Sequence, residues 1–392
     1  MTTRSVTTPP GPRRTVVAQS LASGAAGAAL LSIEEALHDE AGWPVAQAAI
    51  RLATHEPLDL GPHAGLFRGV PAIGLLLHAA QADGQPRYER AVAHLDRHIE
   101  SLTLRRVSAA TQSADQGQVA FQDFDIFTGL TGLGAYLLRY QPGSDVLGRA
   151  LTYLTHLAEP RRDPDGTWTP GWWVSHDPDT TVKTPGGHAN LGMAHGAAGI
   201  LALLALATAH GVQVDGQRDA LIQILTEYDR WLQDDPAGPW WPQWITRADL
   251  RAGRSSQRAA GRASWCYGVP GVARAHQLAA IATADPARQQ AAEAVLAAHL
   301  TDERLAGLAG PGLCHGPAGT YQTVWRAAAD APALAARLPA LARHLARHHA
   351  CDPGPPTATG GLLTGHAGDR LAATTARHGT TRSGWDLCLL IN

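Results

Sequence analysis

Apolar residues gather along the chain in seven blocks, each opened by small residues in the pattern G-x-x-G. The blocks are SGAAGAALL at Ser23, RGVPAIGLLL at Arg68, TGLTGLGAYLL at Thr128, HGAAGILALL at His195, YGVPGVARA at Tyr267, HGPAGTYQTV at His315 and TGHAGDRLA at Thr364. Their first glycines, Gly24, Gly69, Gly129, Gly196, Gly268, Gly316 and Gly365, lie 45, 60, 67, 72, 48 and 49 residues apart, and Ala72 alone replaces a second glycine. Intervals of this length hold two helices and their connections. Between the blocks, helical periodicity predicts helices over Trp43 to Ala53, Tyr88 to Leu102, Gln217 to Leu232 and Pro286 to Leu300. The last opens with Asp285 as an N-cap and Pro286 at the first helical position, where its missing N–H costs nothing.

Seven helix pairs follow from this pattern, each pair ending in a smooth, Ala-rich helix whose small first turn permits close approach and a sharp preceding loop. An all-α fold, an α/α toroid with an inner and an outer ring, accommodates the pattern better than an open solenoid, whose end repeats should be polar and atypical. Residues 1–19 are expected to be an N-terminal tail and 20–392 a single toroid domain. Two stretches break the helical rhythm and are expected to be loop insertions, near 159–190 and 234–264. They hold six of the 11 tryptophans, Trp168, Trp172, Trp173, Trp240, Trp241 and Trp244. Those rings either wall a bound peptide or cap outer helices.

Composition narrows the function. With 392 residues, 45% hydrophobic and 17% charged, the chain builds a sizeable core, and a formal net charge of −2 without basic runs argues against a nucleic-acid partner. Four cysteines, Cys266, Cys314, Cys351 and Cys388, are too few and too uneven to staple it, so a reducing cytoplasm is expected. Arg13-Arg14 ahead of Thr15 to Ile33 mimics a twin-arginine export signal, but Gln19, Ser20, Ser23 and two glycines interrupt the apolar stretch. No run approaches the ~18 apolar residues of a membrane span.

Chemistry concentrates just before the first glycines. The last position there is Ser23, Arg68, Thr128, His195, Tyr267, His315 and Thr364, and the one before it is Ala22, Phe67, Phe127, Ala194, Cys266, Cys314 and Leu363. In a toroid this register converges at one end of the ring. Cys266, Cys314 and His315 then supply two sulfurs and an imidazole, a donor set suited to Zn2+, and three protein ligands with an open fourth position is the catalytic pattern. Buried structural cysteines and a capping histidine are the alternative. His195 is a fourth ligand or a nearby acid and base. Asp125 either orients a histidine or caps a helix, and Arg262 either meets developing negative charge or is a solvated loop residue.

The motifs W-C-Y-G-V-P-G (Trp265–Gly271), L-C-H-G-P-A-G (Leu313–Gly319), A-H-G-A-A-G (Ala194–Gly199) and G-W-D-L-C-L-L (Gly384–Leu390) together resemble the lanthionine synthetase C family, from about Ser20 to the C-terminus. The resemblance implies an α/α toroid and a class I lanthipeptide cyclase that adds peptide cysteine thiols to dehydroalanine or dehydrobutyrine. It implies zinc on Cys266, Cys314 and His315, with His195, Asp125, Arg262 and Tyr267 around the reacting centre. It also implies a dehydrated precursor peptide as substrate, an export transporter as a possible partner and, because 392 residues leave no room for a fused dehydratase, a separate dehydratase. One departure stands out. The segment between the third and fourth blocks is short and does not read as strands, whereas some relatives carry there an extension associated with leader-peptide contact. Three other readings stay open: a relative that binds glutathione or adds thiols to damaged residues, a protein prenyltransferase with an aspartate among its zinc ligands, and a glycoside hydrolase with paired carboxylates.

Overall fold

In the six blocks that have a second glycine, all but the one with Ala72, that glycine sits against the carbonyl oxygen six residues before it. A Cβ on Gly271 would lie 2.0 Å from Trp265 O, and one on Gly319 would lie 1.9 Å from Leu313 O. The loop that precedes each of those six helices therefore folds back over the helix start at a distance only glycine allows. Pro71, Pro270 and Pro317 occupy the first turns of three such helices, where a proline is pre-set for helix and no N–H is lost.

The computed structural model describes residues 18–163, 165–236, 238–308, 310–351 and 360–392. Arg13, Arg14 and the tail up to residue 17 lie outside the described residues. The main helices are α1 (Ala25–His38), α2 (Trp43–Thr54), α3 (Val70–Ala79), α4 (Glu89–Asp115), α5 (Leu130–Tyr140), α6 (Asp145–Leu157), α7 (Ala197–Ala209), α8 (Gln217–Trp231), α9 (Val269–Thr283), α10 (Pro286–Ala298), α11 (Pro317–Ala327), α12 (Leu338–Cys351) and α13 (His366–His378). The odd-numbered helices form the inner ring. Each packs against the next, and α13 packs against α1, so the ring closes. The chain is an α/α toroid. Each of α1, α3, α5, α7, α9 and α11 also packs against its following outer helix.

Burial follows the pattern that the sequence announces. Inner helix α7 is apolar around its circumference and buries every residue from Ala197 to Ala207. Outer helix α8 instead buries Ala220, Leu221, Ile224, Leu225, Tyr228 and Trp231, one stripe at spacings of three and four. Asp285 caps α10 through Arg288 N. Helix α4 runs on to Asp115, well past the predicted Leu102, because no glycine or proline intervenes before Gly117.

A chain of backbone hydrogen bonds joins the seven pre-glycine loops in ring order. Leu21 N donates to Phe67 O (3.0 Å), Phe67 N to Phe127 O (3.4 Å), Ile126 N to Ala194 O (3.2 Å) and Ala194 N to Cys266 O (3.2 Å). Cys266 N then donates to Cys314 O (3.3 Å), Cys314 N to Leu363 O (3.1 Å) and Leu363 N to Ala22 O (3.0 Å), which completes the circuit. These residues include the register singled out in the sequence, so the convergence of that register is a property of the backbone. Satisfying buried peptide groups in this way also leaves the loops little freedom to shift independently.

The two insertions are not the plain loops expected. They contain β1 (Arg161–Arg162), β2 (Trp168–Thr169), β3 (Trp173–Val174), β4 (His188–Asn190), β5 (Gln233–Asp235), β6 (Gly238–Trp240) and β7 (Trp244–Thr246). β3, β4 and β7 form one antiparallel sheet in which Ala189 faces Ile245, so the second insertion is stitched to the first. Strands of two or three residues are too short to show an alternating pattern. Their tryptophans are mostly pillars: Trp172, Trp173, Trp240 and Trp241 are buried, Trp244 is half-buried, and Trp168 alone stands out at 60% exposed.

The C-terminal G-W-D-L-C-L-L segment folds into the core. Asp386 is buried and ion-paired with Arg326 (2.6 Å), Arg274 Nε donates to Ile391 O (2.9 Å), and Trp265 Nε1 donates to Leu389 O (3.0 Å). The last contact fixes the residue immediately before Cys266. No helix among the described residues is long and apolar enough to cross a membrane.

Candidate metal centre

Consecutive loops of the backbone circuit deliver Cys266 and the pair Cys314–His315. Their donor atoms all lie within 4.8 Å of one another, and they are the one such group among the described residues. Cys266 is buried while Cys314 and His315 are half-buried, so the group opens to solvent on one side. Cys266 Sγ lies 3.8 Å from His315 Nδ1 and 3.7 Å from Ser264 Oγ. The hydrogen bond from the Cys314 thiol, together with those of His315 and Ser264, holds the Cys266 thiol well below its ordinary range against the cost of burial. Cys314, donating to the Cys266 thiolate, is pushed up, and His315 is raised because it too faces that sulfur. The three can hold a metal ion: two soft sulfurs and an imidazole nitrogen within 4.8 Å of one another suit zinc, and the set contains no carboxylate.

His195 arrives on the preceding loop, where Met193 N and Ala194 N both donate to Cys266 O at 2.7 and 3.2 Å. Its Nδ1 lies 2.7 Å from Asp125 Oδ2. The other carboxylate oxygen accepts from Thr128 N and Gly129 N, both at 2.8 Å. Asp125 thus caps the loop entering α5 with one oxygen and meets His195 with the other, so the two alternatives open in the sequence coexist. With Nδ1–H donated to the carboxylate, Nε2 is the free nitrogen of the ring.

Tyr267 is half-buried, its ring 6.3 Å from that of His195. Burial raises its phenol, and the nearby sulfurs of Cys266 and Cys314 and the Asp125 carboxylate raise it further. The residue therefore lies near both the donor triad and the Asp125–His195 pair. Gly192 makes room for it, since a Cβ there would lie 2.6 Å from Tyr267 Cδ1. Arg262 is exposed, has no carboxylate partner among the described residues, and its positive charge reaches His315.

Arg106 is a residue the sequence reading did not single out. It is buried on α4, and its guanidinium donates to the carbonyls of Gln122 and Thr128, on either side of Asp125, and to that of Pro62. Nothing in its local sequence, Leu104 to Val107, distinguishes it from a surface arginine. Phe121, which stacks on the His195 ring, was missed for the same reason, and Phe127, which also stacks on it, stood in the pre-glycine register with no role assigned.

The profile of the lanthionine synthetase C-like protein family matches residues 15–390. The chain belongs to this family. Among related proteins, the nisin biosynthesis protein NisC of Lactococcus lactis subsp. lactis is 23% identical over 261 residues, a match that spans 66% of this chain and 60% of that relative's length. The solved structure of a nisin cyclase aligns with a TM-score of 0.82 at 19% sequence identity, covering 97% of this chain and 94% of that one. That likeness establishes the fold of this family member: the toroid, not its chemistry.

Proposed function

We propose that the protein is a zinc-dependent lanthipeptide cyclase, which forms thioether rings by adding cysteine thiols of a dehydrated peptide to its dehydroalanine or dehydrobutyrine residues. The observation that carries the reading is the meeting, on adjacent loops, of a Cys266–Cys314–His315 triad open on one side and a histidine fixed at Nδ1 by a carboxylate. Membership of the family supports it. Zinc held by Cys266, Cys314 and His315 would keep an incoming thiol deprotonated near neutral pH, where a free thiol with a pKa of about 8.5 is mostly protonated.

The remaining work falls to the chain's own side chains. His195 Nε2 takes the proton that the substrate thiol gives up, and Asp125 stabilises the imidazolium that results. As sulfur bonds to the β-carbon, the electron pair of the double bond moves toward the α-carbon and the neighbouring carbonyl oxygen. Arg262 meets that charge, and the Tyr267 phenol, kept protonated by burial, donates toward it. His195 then returns the proton to the α-carbon. The S–H bond has been added across C=C, with no oxidant, reductant or leaving group.

On this reading a dehydratase supplies the dehydro residues, and an exporter would take the product. All four cysteines are free, which suits a reducing cytoplasm. The prenyltransferase alternative expects a carboxylate in the donor set, and this triad has none. The test is to incubate the metal-loaded protein with a dehydrated, cysteine-containing peptide and then add a thiol-blocking reagent. Mass spectrometry should show a product of unchanged mass that resists labelling. A fully labelled peptide contradicts the proposal, and capture of added glutathione in preference to cyclisation favours the thiol-adding relative.

A further inference from the structure

His195 is the middle of a stack of aromatic rings. Phe67 stacks on Phe127 with centroids 4.7 Å apart, Phe127 stacks on the His195 imidazole at 4.7 Å and 18°, and Phe121 stacks on the same imidazole at 5.1 Å and 20°. The stack is braced at both ends. Phe67 is buried, and its backbone is part of the loop circuit. Phe121 meets the rings of His176 and His188 edge-on, at 4.5 and 5.6 Å, and His188 Nδ1 lies 3.0 Å from His176 O. His188 belongs to strand β4, so the stitched insertions reach the site through Phe121.

Two restraints act on the imidazole together. The Asp125 bond fixes which nitrogen is free, and the two phenyl faces fix the plane in which that nitrogen lies. Either alone would leave a rotation: about the hydrogen bond in one case, a ring flip in the other. Both faces also attract an imidazolium electrostatically and keep water off it, which suits a group that holds a proton briefly and must pass it to carbon.

Resting on the reading of His195 as the proton donor, we propose that Phe121 and Phe127 are positioning residues that aim Nε2 at one face of the substrate's α-carbon, and so set the configuration of the thioether product. A proton delivered from a fixed imidazole reaches one face. A proton from a loosened ring, or from water admitted beside it, reaches either.

The experiment cyclises a synthetic peptide with one dehydroalanine and one cysteine, using the metal-loaded full chain, then hydrolyses the product and resolves the new α-centre by chiral chromatography. Wild-type protein should give one configuration. Phe121→Leu and Phe127→Leu should slow cyclisation by on the order of a hundredfold and yield both configurations, whereas Phe121→Tyr, which keeps the stack, should restore one. Leucine variants that match wild type in rate and give its single configuration overturn the proposal. A second reading needs no variant of the clamp: in labelled wild-type protein the His195 ring protons, assigned through their loss in His195→Asn, should be shifted upfield by the flanking rings. Unshifted signals also overturn it. Wild-type protein that leaves the peptide linear refutes the cyclase reading and this proposal with it, while cyclisation with unaffected leucine variants refutes this proposal alone.

Discussion

The backbone N–H of Cys266 donates to the carbonyl oxygen of Cys314 across 3.3 Å. Two residues 48 positions apart in sequence thereby become neighbours, with no local cysteine motif to announce them. What aligns them is the direct pairing of the fifth and sixth loops, one step of the seven-loop circuit, so the donor triad forms only when those two loops have docked. The glycines that let each loop fold back, and the carboxylate that ties His195 to the third loop, are therefore part of the site as much as the sulfurs are.

Asp125→Asn separates the two duties of that carboxylate. The amide oxygen can still accept from Thr128 and Gly129, but an amide N–H cannot receive the His195 Nδ1–H, so the tautomer with a free basic Nε2 loses its support. The variant should fold with a Tm near wild type and lose on the order of 10³- to 10⁴-fold in kcat. Unchanged kcat, measured by mass-spectrometric cyclisation assays, would remove Asp125 from the mechanism. Asp125→Ala should cost about 1 kcal/mol of stability as well, through the lost cap.

Glycine substitutions test the joint itself. Gly271→Ala forces a Cβ to within 2.0 Å of Trp265 O, directly before Cys266, and should lower stability by about 3 kcal/mol and reduce metal retention together. Gly148→Ala, in helix α6 with nothing within 4 Å of the new methyl, should instead raise stability by about 0.5 to 1 kcal/mol. Urea unfolding checks both, and similar effects from the two changes would show that the close approach is dispensable.

The ring and its joints were legible in the sequence because they are periodic: Gly24 through Gly365 repeat in one register, and the residues before them carry the cysteines. The insertions were not. β3 and β4 are two and three residues long, and the second partner of β4, β7, lies in the other insertion, so nothing local decides between the two readings of Trp172 and Trp240, which are buried. Arg106 and Phe121 escaped for a related reason. Each acts on a site residue across the fold, Arg106 by holding the carbonyls around Asp125 and Phe121 by covering a face of His195, and side-chain type alone does not disclose such a partner.

Acid should unfold the protein through its buried histidines. Burial lowers His276 to about 3, between the rings of Tyr228 and Trp241, and lowers His299 and His188 to about 4. Unfolded, each titrates near 6.5, so between those values and 6.5 the unfolded chain binds protons that the native one refuses. Stability is then full above about pH 6.5 and falls as pH drops toward 4 and below. His276→Phe should flatten that decline in a Tm-versus-pH series, and an unaltered slope would show that His276 charges freely in the fold.

X-ray absorption at the zinc edge tests the central claim most directly, on the full chain with and without a simple thiol. The account predicts one zinc per chain bound by two sulfurs and one imidazole nitrogen, and a third sulfur on addition of the thiol, with the metal lost in Cys266→Ala and Cys314→Ala. Zinc absent from the wild-type protein, or a coordination shell that the added thiol leaves unchanged, would contradict it.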